Sequence, residues 1–324
     1  MEVLKASKRG RKPGVYRLAG AGPGGAAVIA KVCRRKTAEI ESAVYEELLP
    51  HLPMPTLRYH GMVRDADRRH CWLFVNDAAD ERYWPLEPEH RRLAARWLAT
   101  VHAHAGELVQ SSLLPDRGPR HYLVHLLNAR EEIERRMRRP GDEADGPQVL
   151  EDLLSLLDML ESRWPDVSAF CDTLPQTLVH GDLVPKNMRI LRDGRSTGLA
   201  VFDWETAGLG VQAADLAQLL EPQLSWYANR RSPKRVDRFS ANPCLDTYRS
   251  VLADSGTDCD AGTIEQAAAV GNVFRCVAGI DWTCTQATAA WYPVDDFRLY
   301  SEWLGNAMQV AGWSVPRNRV LEAR

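Results

Sequence analysis

The first quarter of the chain alternates apolar, β-forming residues with glycines and charged positions. Apolar runs at residues 15–18 and 28–32, separated by a glycine-rich segment, predict a β-hairpin. Apolar residues at helical spacing predict a helix over residues 38–49, which the prolines that follow bring to an end. Two further strands are predicted at residues 58–63 and 71–75, joined by a polar turn. This region is therefore predicted to consist of strands with a single helix.

A polar segment at residues 76–80 separates this region from a longer, mostly helical one. Apolar positions recur at helical spacing over residues 89–104, 120–139, 148–164, 212–222, 242–253, 262–289 and 295–311. Short strands and turns are predicted around residues 178–205. We therefore expect two lobes, at residues 1–78 and 79–324.

The composition is that of a globular protein and limits the partners to be expected. The chain has 324 residues, 45% of them hydrophobic and 26% charged, as in ordinary globular domains. A formal net charge of −2 provides no overall field to attract nucleic acid or an anionic membrane, so neither is an expected partner. The first 79 residues carry 14 Lys and Arg against 8 Asp and Glu, whereas the rest carries 27 against 35. This uneven distribution of charge suits an anionic polyphosphate bound by the first part and a neutral or cationic partner bound by the second. Chance would explain the distribution equally well, because surface charge varies easily.

The seven cysteines are scattered and form no C-x-x-C pair, which argues against a disulfide framework or a zinc site. The first residues lack the apolar core of a signal peptide, and no apolar run approaches the length of a membrane span. We expect a cytoplasmic protein.

Three polar residues in the middle of the chain carry the strongest chemical signal. Asp182 follows a strand-like apolar run, Asn187 comes five residues later, and Asp203 ends a second apolar run. Phosphoryl transfer needs a carboxylate that orients a hydroxyl, and an amide oxygen and a second carboxylate that hold Mg2+ against nucleotide phosphates. This order predicts Asp182 as the base and the other two as metal ligands. Glu205 is either a further ligand or a brace.

A lysine in the first region fits the same chemistry. Lys31 interrupts the apolar run of a predicted strand, where an ammonium group needs an anionic partner. The phosphates of a nucleotide would serve, and a glutamate on the next helix could hold the lysine in position. Glu41 and Glu39 are both candidates, and helical geometry favours Glu41.

Two further segments could contact a nucleotide. Gly10 and Gly14 lie among lysines and arginines, so their backbone amides could cover the phosphates, although a disordered basic arm would have the same composition. Asn76 and Ala78 follow a predicted strand and could present backbone groups to a nucleobase, as an inter-lobe hinge does.

Together these residues resemble the aminoglycoside phosphotransferase (choline kinase-like) family of small-molecule kinases. The resemblance spans roughly residues 7–310 and is carried by the motifs His180-Gly181-Asp182-x-x-x-x-Asn187, Phe202-Asp203-Trp204-Glu205, Asp215-Leu216-Ala217, Ala30-Lys31 and Glu41-x-x-x-Tyr45-x-x-Leu48. The chain departs from the family pattern in four places. Lys186 stands where a glycine is usual, and Arg189 where an apolar residue is usual. The hinge reads Val75-Asn76-Asp77 where many relatives carry a glutamate, and the first loop is unusually basic.

The resemblance implies an α+β, protein-kinase-like fold with two lobes. The N-lobe, residues 1–78, would be a five-stranded antiparallel sheet with one helix and would bind the nucleotide. The C-lobe, residues 79–324, would be mainly helical and would carry the catalytic loop and the acceptor site. Asp215 would brace the catalytic loop.

By the same resemblance, the chain transfers the terminal phosphate of ATP or GTP to a hydroxyl group, with Mg2+ as cofactor. Asp182 would be the catalytic base, Lys31 the phosphate clamp with Glu41 as its partner, and Asn187 and Asp203 the Mg2+ ligands. The acceptor would be a small molecule, an antibiotic above all, and the acidic C-lobe suits a cationic one. An amino-alcohol or sugar kinase is the alternative, followed by a non-catalytic nucleotide-binding regulator.

Overall fold

The computed structural model of the protein describes residues 2–5, 14–66, 69–78, 81–138, 146–193, 196–220, 243–257, 259–286 and 294–313. Its strands are β1 (Glu2–Lys5), β2 (Val15–Leu18), β3 (Val28–Arg34), β4 (Tyr59–Arg64), β5 (His70–Asn76), β6 (Gln176–Val179), β7 (Met188–Asp193), β8 (Ser196–Val201) and β9 (Gly208–Val211). Within these residues, the first five strands form one sheet, and β6 with β9 and β7 with β8 form two-stranded sheets.

The helices follow the same chain order. They are α1 (Arg35–Ala43), α2 (Pro88–His104), α3 (Gly106–Gln110), α4 (Pro119–Met137), α5 (Gly146–Ser162), α6 (Trp164–Asp172), α7 (Ala213–Leu220), α8 (Pro243–Asp254), α9 (Ala261–Gln286) and α10 (Val294–Val310). None of the helices in the described part of the chain combines the length and apolar character that crossing a membrane requires.

The five-stranded sheet has the order β1-β2-β3-β5-β4 and is antiparallel throughout. Its central strand β3 pairs with β5 from Val28 opposite Asn76 to Arg34 opposite His70. Because side chains alternate between the two faces of a strand, every second residue of β3 lies on the same face of the sheet, together with the residue opposite it on β5. Helix α1 packs on this sheet.

Contacts divide the chain into two units. The first unit comprises Met1–Pro115, Gln176–Gly210 and Leu219–Cys259, and the second comprises Asp116–Pro175, Val211–Gln218 and Asp260–Arg324. This division follows compactness, and it assigns α2 and the segment 176–210 to the same unit as the five-stranded sheet. The lobe boundary at residue 78 stays a prediction.

In the first unit, α2 packs against α8 and β6. The buried ring of Trp204 lies 5.9 Å from that of Trp97 and 4.5 Å from that of His180, measured between centroids. Truncating a buried tryptophan to alanine costs about 3–5 kcal/mol. Trp204 therefore joins the two segments that carry the candidate residues. His180 begins the segment that contains Asp182 and Asn187, and Trp204 directly follows Asp203.

The second unit is helical. Helix α9 packs against α4 and α10, and α5 contacts α4 and α10. The rings of Tyr122 and Phe274 stack with centroids 4.2 Å apart. Gly271 lets α9 approach the start of α7, because a Cβ atom at this position would lie 1.8 Å from the Ala213 carbonyl oxygen.

Most of the observed elements agree with the hydrophobic pattern, and the clearest difference lies around residue 164. The pattern predicts that one helix ends there and that short strands follow, but α6 begins at Trp164 with a proline in its first turn. Proline is tolerated at that position because the first amide groups of a helix have no partner within the helix. The short helix α3 was also not predicted.

Candidate functional site

Strand β3 and helix α1 bring Lys31 and Glu41 together. Lys31 lies opposite Leu73 of β5, and on this face Cys33 and Leu73 pack against Ala38 of α1. Glu41 follows one helical turn later, and its carboxylate accepts a hydrogen bond from the Lys31 ammonium group. The side chain of Glu41 is 3% exposed and that of Lys31 is 17% exposed. The pair is therefore largely removed from water.

Glu39, the other glutamate considered from the sequence, takes no part in this contact. Its side chain is exposed and accepts a hydrogen bond from the Arg35 Nε at 2.7 Å. The difference follows from helical geometry, because residues two positions apart point to different sides of a helix.

Asp203 is the second anionic partner of Lys31. Its carboxylate forms an ion pair with the same ammonium group, and its side chain is 25% exposed. The residue directly follows β8 and has a left-handed backbone, with φ 71° and ψ 56°. Such a conformation costs of order 1–3 kcal/mol in a residue other than glycine and persists only where the surroundings impose it. Here the buried ring of Trp204 fixes the next residue.

The electrostatics of this cluster follow from burial and proximity. Burial lowers the pKa of Lys31, but the charges of Glu41 and Asp203 outweigh it and raise this pKa above its ordinary value. Burial raises the pKa of Glu41 to about 7, although the ammonium group works against it. Burial also acts to raise the pKa of Asp203, but Lys31 holds it below its ordinary value. Lys31 and Asp203 therefore form a charged pair.

The loop from His180 to Asn187 places a carboxylate and an amide side by side. The Asn187 Nδ2 donates to the Asp182 carbonyl oxygen at 2.9 Å and to its carboxylate Oδ2 at 3.1 Å. The backbone N–H of Asp182 donates to His180 Nδ1 at 3.2 Å. Gly181 has φ +79°, and a Cβ there would lie 2.9 Å from the Thr206 carbonyl oxygen. The loop therefore depends on glycine at this position.

Lys186 approaches the same carboxylate from the opposite end of the loop. Its Nζ lies 3.0 Å from Asp182 Oδ2, and the side chains of Lys186 and Asp182 are 60% and 36% exposed. Asp182 is thus contacted by a cation and by an amide donor and remains accessible to solvent. This contact contrasts with the enclosed position of Lys31.

The oxygen atoms near Asp203 fit a hard divalent cation. Asn187 uses its NH2 group as a donor, so its carbonyl oxygen is the side-chain atom that could act as a ligand. Carboxylate oxygens of Glu41, Asp203 and Glu205 come within 4.8 Å of one another. An all-oxygen set of carboxylates and one amide is the donor chemistry of Mg2+. Glu205 is the exposed member of this group.

The segment after β5 lies beside β3 and β4. The N–H of Asn76 donates to the Arg58 carbonyl at 2.9 Å, and the N–H of Asp77 donates to the Ala27 carbonyl at 3.2 Å. Both donors are thus used within the sheet region. Ala78 follows directly and is buried. Of the hinge residues proposed from the sequence, Ala78 is therefore the better candidate for an N–H that meets a nucleobase.

Of the two glycines proposed to cover the phosphates, Gly14 belongs to the described residues. Gly14 directly precedes β2 and accepts a hydrogen bond from the Val32 N–H at 2.9 Å. Gly10 lies outside the described residues. The position of Gly14 beside β3 is compatible with a turn next to Lys31.

Besides the pair of Lys31 with Asp203, two further charged contacts near the candidate residues were not foreseen from the sequence. Arg17 Nε lies 2.5 Å from Asp77 Oδ2, which ties β2 to the segment after β5. Lys186 contacts Asp182 across one turn, and its place in the motif was noted only as a departure from the family pattern. The spacing of four residues, with opposite charges, was the available signal for the second contact.

Comparisons with known proteins bear on the fold. The Plasmodium vivax ethanolamine kinase structure matches with a TM-score of 0.60 and 12% identity, covering 94% of this chain and 81% of that one. The macrolide 2'-phosphotransferase MphH from Brachybacterium faecium matches with a TM-score of 0.54 and 17% identity, covering 94% and 91%. The GDP and kanamycin complex of APH(2")-IIIa matches with a TM-score of 0.58 and 15% identity, covering 95% and 93%. A search of curated proteins finds no match.

These matches confirm a kinase-like α+β fold with an antiparallel sheet in the N-terminal region and a helical C-terminal region. The fold and the family match together define a small-molecule phosphotransferase. The model of the phosphotransferase enzyme family matches residues 5–253. The chain belongs to this family.

Proposed function

We propose that the protein transfers the terminal phosphoryl group of ATP or GTP to a hydroxyl group of a small molecule, and that this molecule is an antibiotic. One observation carries the proposal. Lys31 is held by both Glu41 and Asp203, while Asn187 is bonded to Asp182. All five residues belong to a single contact unit. A phosphate clamp, a metal-binding carboxylate and a base are the minimum set for phosphoryl transfer.

In this proposal Asp182 acts on the acceptor. Its carboxylate orients the attacking hydroxyl and accepts the proton as the bond to phosphorus forms. The Asn187 amide fixes the carboxylate through its bond to Oδ2. Partial exposure leaves Asp182 accessible to an acceptor.

Lys31 acts on the donor. Its ammonium group would contact the phosphates of the nucleotide, with Glu41 holding it in position. Asp203 and Asn187 would hold Mg2+, which neutralises charge on the phosphates when bound. The contact between Lys31 and Asp203 would then have to lengthen, because both groups acquire new partners.

The nucleotide base and phosphates would meet the remaining candidates. Asn76 and Ala78 would face the base, while Gly14 and Gly10 would cover the phosphates. The GDP complex of APH(2")-IIIa supports a nucleotide donor for this fold. Since ATP and GTP are intracellular donors, the proposal places the reaction in the cytoplasm.

An amino-alcohol acceptor is the second candidate. The match to ethanolamine kinase has a TM-score of 0.60, slightly above the scores of 0.54 and 0.58 for the macrolide and aminoglycoside enzymes. The excess of acidic over basic residues after residue 79 suits cationic acceptors of both kinds.

The test is release of ADP or GDP with Mg2+ against kanamycin, erythromycin, ethanolamine and a sugar, with product mass measured. Wild type should add a phosphate to one of these acceptors, and Asp182→Asn should lose the transfer. Asp254→Asn, on an exposed aspartate at the end of α8, is the matched control and should retain it. Nucleotide binding without transfer to any hydroxyl compound would favour the regulator instead.

A further inference from the structure

Lys186 is held in the catalytic loop by its backbone, while its side chain extends into solvent. It lies in a single helical turn between Pro185 and Asn187. Its carbonyl oxygen accepts a hydrogen bond from the Arg189 Nη1 at 3.1 Å. Its ammonium group turns back to Asp182, 3.0 Å away. The loop backbone is therefore fixed, whereas a long and mostly exposed stem can rotate.

The charge of Lys186 also reaches the second carboxylate of the site. The pKa of Asp203 is raised by burial and lowered by Lys31 and, to a smaller extent, by His180 and Lys186, with a net lowering. One cation therefore influences both Asp182 and Asp203. The transferring phosphoryl group must lie close to the same two carboxylates if one is the base and the other the metal ligand.

We infer that Lys186 is a catalytic residue whose ammonium group binds an oxygen of the transferring phosphoryl group. The inference rests on the proposed function. A base lies about 2.6–3.2 Å from the hydroxyl it orients, and that oxygen approaches phosphorus at about 3–3.5 Å. An ammonium group already bonded to Asp182 reaches the phosphoryl oxygens by rotating its stem.

The step balances without a proton from Lys186. The acceptor oxygen forms a bond to the terminal phosphorus, and the bond from phosphorus to the bridging oxygen breaks. The electron pair of that bond leaves with the nucleoside diphosphate. The hydroxyl proton passes to Asp182, which Lys186 releases as it moves to the phosphoryl oxygen. The ammonium stays charged and stabilises the spread of negative charge in the transition state.

A structural role makes a different prediction. An exposed ion pair four residues apart contributes little to stability, and its loss would at most loosen the loop. If Lys186 only kept the loop in shape, Lys186→Gln and Lys186→Arg would both lower activity. Both would also weaken the binding of the nucleoside diphosphate and of the transition-state complex to a similar extent. A charge that contacts only the transferring phosphoryl group affects the binding of the transition-state complex and leaves the binding of the nucleoside diphosphate unchanged.

The experiment compares Lys186→Gln, Lys186→Arg and the control Lys36→Gln, an exposed lysine on α1. Each is assayed with the acceptor that the panel identifies, and each is titrated with MgADP, with and without aluminium fluoride as a phosphoryl mimic. We expect Lys186→Gln to lower kcat by about 10- to 100-fold, with KM for the nucleotide nearly unchanged. It should weaken the aluminium fluoride complex by a similar factor and leave MgADP affinity unchanged. Lys186→Arg should restore most of both.

Unchanged kcat and unchanged fluoride affinity in Lys186→Gln, with an active wild type, overturn the role of Lys186 and leave the proposed function intact. Equal losses in Lys186→Gln and Lys186→Arg, or a parallel loss of MgADP binding, indicate loop geometry and also overturn it. If the wild type binds MgADP but transfers no phosphate, the aluminium fluoride titration of the wild type and the variants still tests the role of Lys186. A wild type that binds no nucleotide removes both proposals.

Discussion

Two lysines of this protein form ion pairs with the aspartates of its two central motifs, in opposite surroundings. Lys31 is enclosed between Glu41 and Asp203, whereas Lys186 reaches Asp182 from a mostly exposed position. Burial makes the partners of Lys31 indispensable, because a charge left alone in a dry environment is costly. Exposure makes the Lys186 pair weak in stability and free to exchange partners.

The contrast teaches that the same type of contact can have different purposes. The Lys31 cluster is a largely buried frame, built from one strand, one helix and the residue after β8. The Lys186 pair belongs to a loop in which the carboxylate must stay available to an acceptor. Substitutions in the frame should therefore appear in unfolding experiments, and substitutions in the loop in turnover.

The largest expected effect is on the loop side of the comparison. Asp182→Ala should lower kcat by about 10²–10⁴-fold, because the hydroxyl loses its orienting base. The free energy of unfolding should change by no more than about 0.5 kcal/mol, since the side chain is partly exposed. Product formation and denaturant unfolding measure the two quantities. Full turnover of the folded variant would refute the assignment of the base.

The same substitution at the two lysines tests the comparison directly. Lys31→Met should lower the free energy of unfolding by about 2–4 kcal/mol, because it leaves the Glu41 carboxylate buried without its cation. Lys186→Met should change it by less than about 0.5 kcal/mol. Urea unfolding of both variants supplies the measurement. Adding Glu41→Gln to Lys31→Met should recover part of the loss, and equal effects at the two lysines would disprove the contrast.

A smaller effect is expected from the two glutamates of α1. Glu41→Gln should reduce kcat/KM for the nucleotide by about 10- to 100-fold, because it loosens the position of Lys31. Glu39→Gln should leave it unchanged, since Glu39 pairs only with Arg35 among the described residues. Steady-state kinetics with varied nucleotide measures both. A matching loss in Glu39→Gln would mean that helix α1, and not the contact of Glu41, is responsible.

The smallest effect concerns the exposed member of the acidic group. Glu205→Gln should raise the Mg2+ concentration for half-maximal activity by less than about tenfold, the lower end of the roughly 10- to 100-fold range for outer-shell partners. Asp203→Asn should raise it by more, because it removes a proposed direct ligand. Magnesium titrations of the two variants are compared. A larger shift for Glu205→Gln would make Glu205 a ligand and not a brace.

Much of the fold followed from the hydrophobic pattern. The strands β2 to β5 and the helix α1 each bury one side, so that their apolar positions recur with the period of the element. Helix α6 was not predicted, and it begins at Trp164 with Pro165 in its first turn, where proline is tolerated. A five-stranded antiparallel sheet was expected from the family resemblance, but the pairing order of its strands was not predicted, since periodicity describes a strand and not its neighbours.

The candidate residues of the site were chosen mainly by spacing. Asp182, Asn187 and Asp203 stand in an order that phosphoryl transfer requires, and Lys31 breaks an apolar strand. Their roles stay predictions until variants are assayed. The pair of Arg17 with Asp77 joins residues 60 positions apart, and no local pattern indicated it.

By itself, the sequence determined which chemical groups this protein carries, in which order, and on which kind of element. Only the tertiary structure decided which of them meet. Lys31 and Asp203 are 172 positions apart and share one ion pair. The reason is physical: periodicity records which side of an element is buried, whereas ion pairing depends on distances of a few ångströms that packing alone sets.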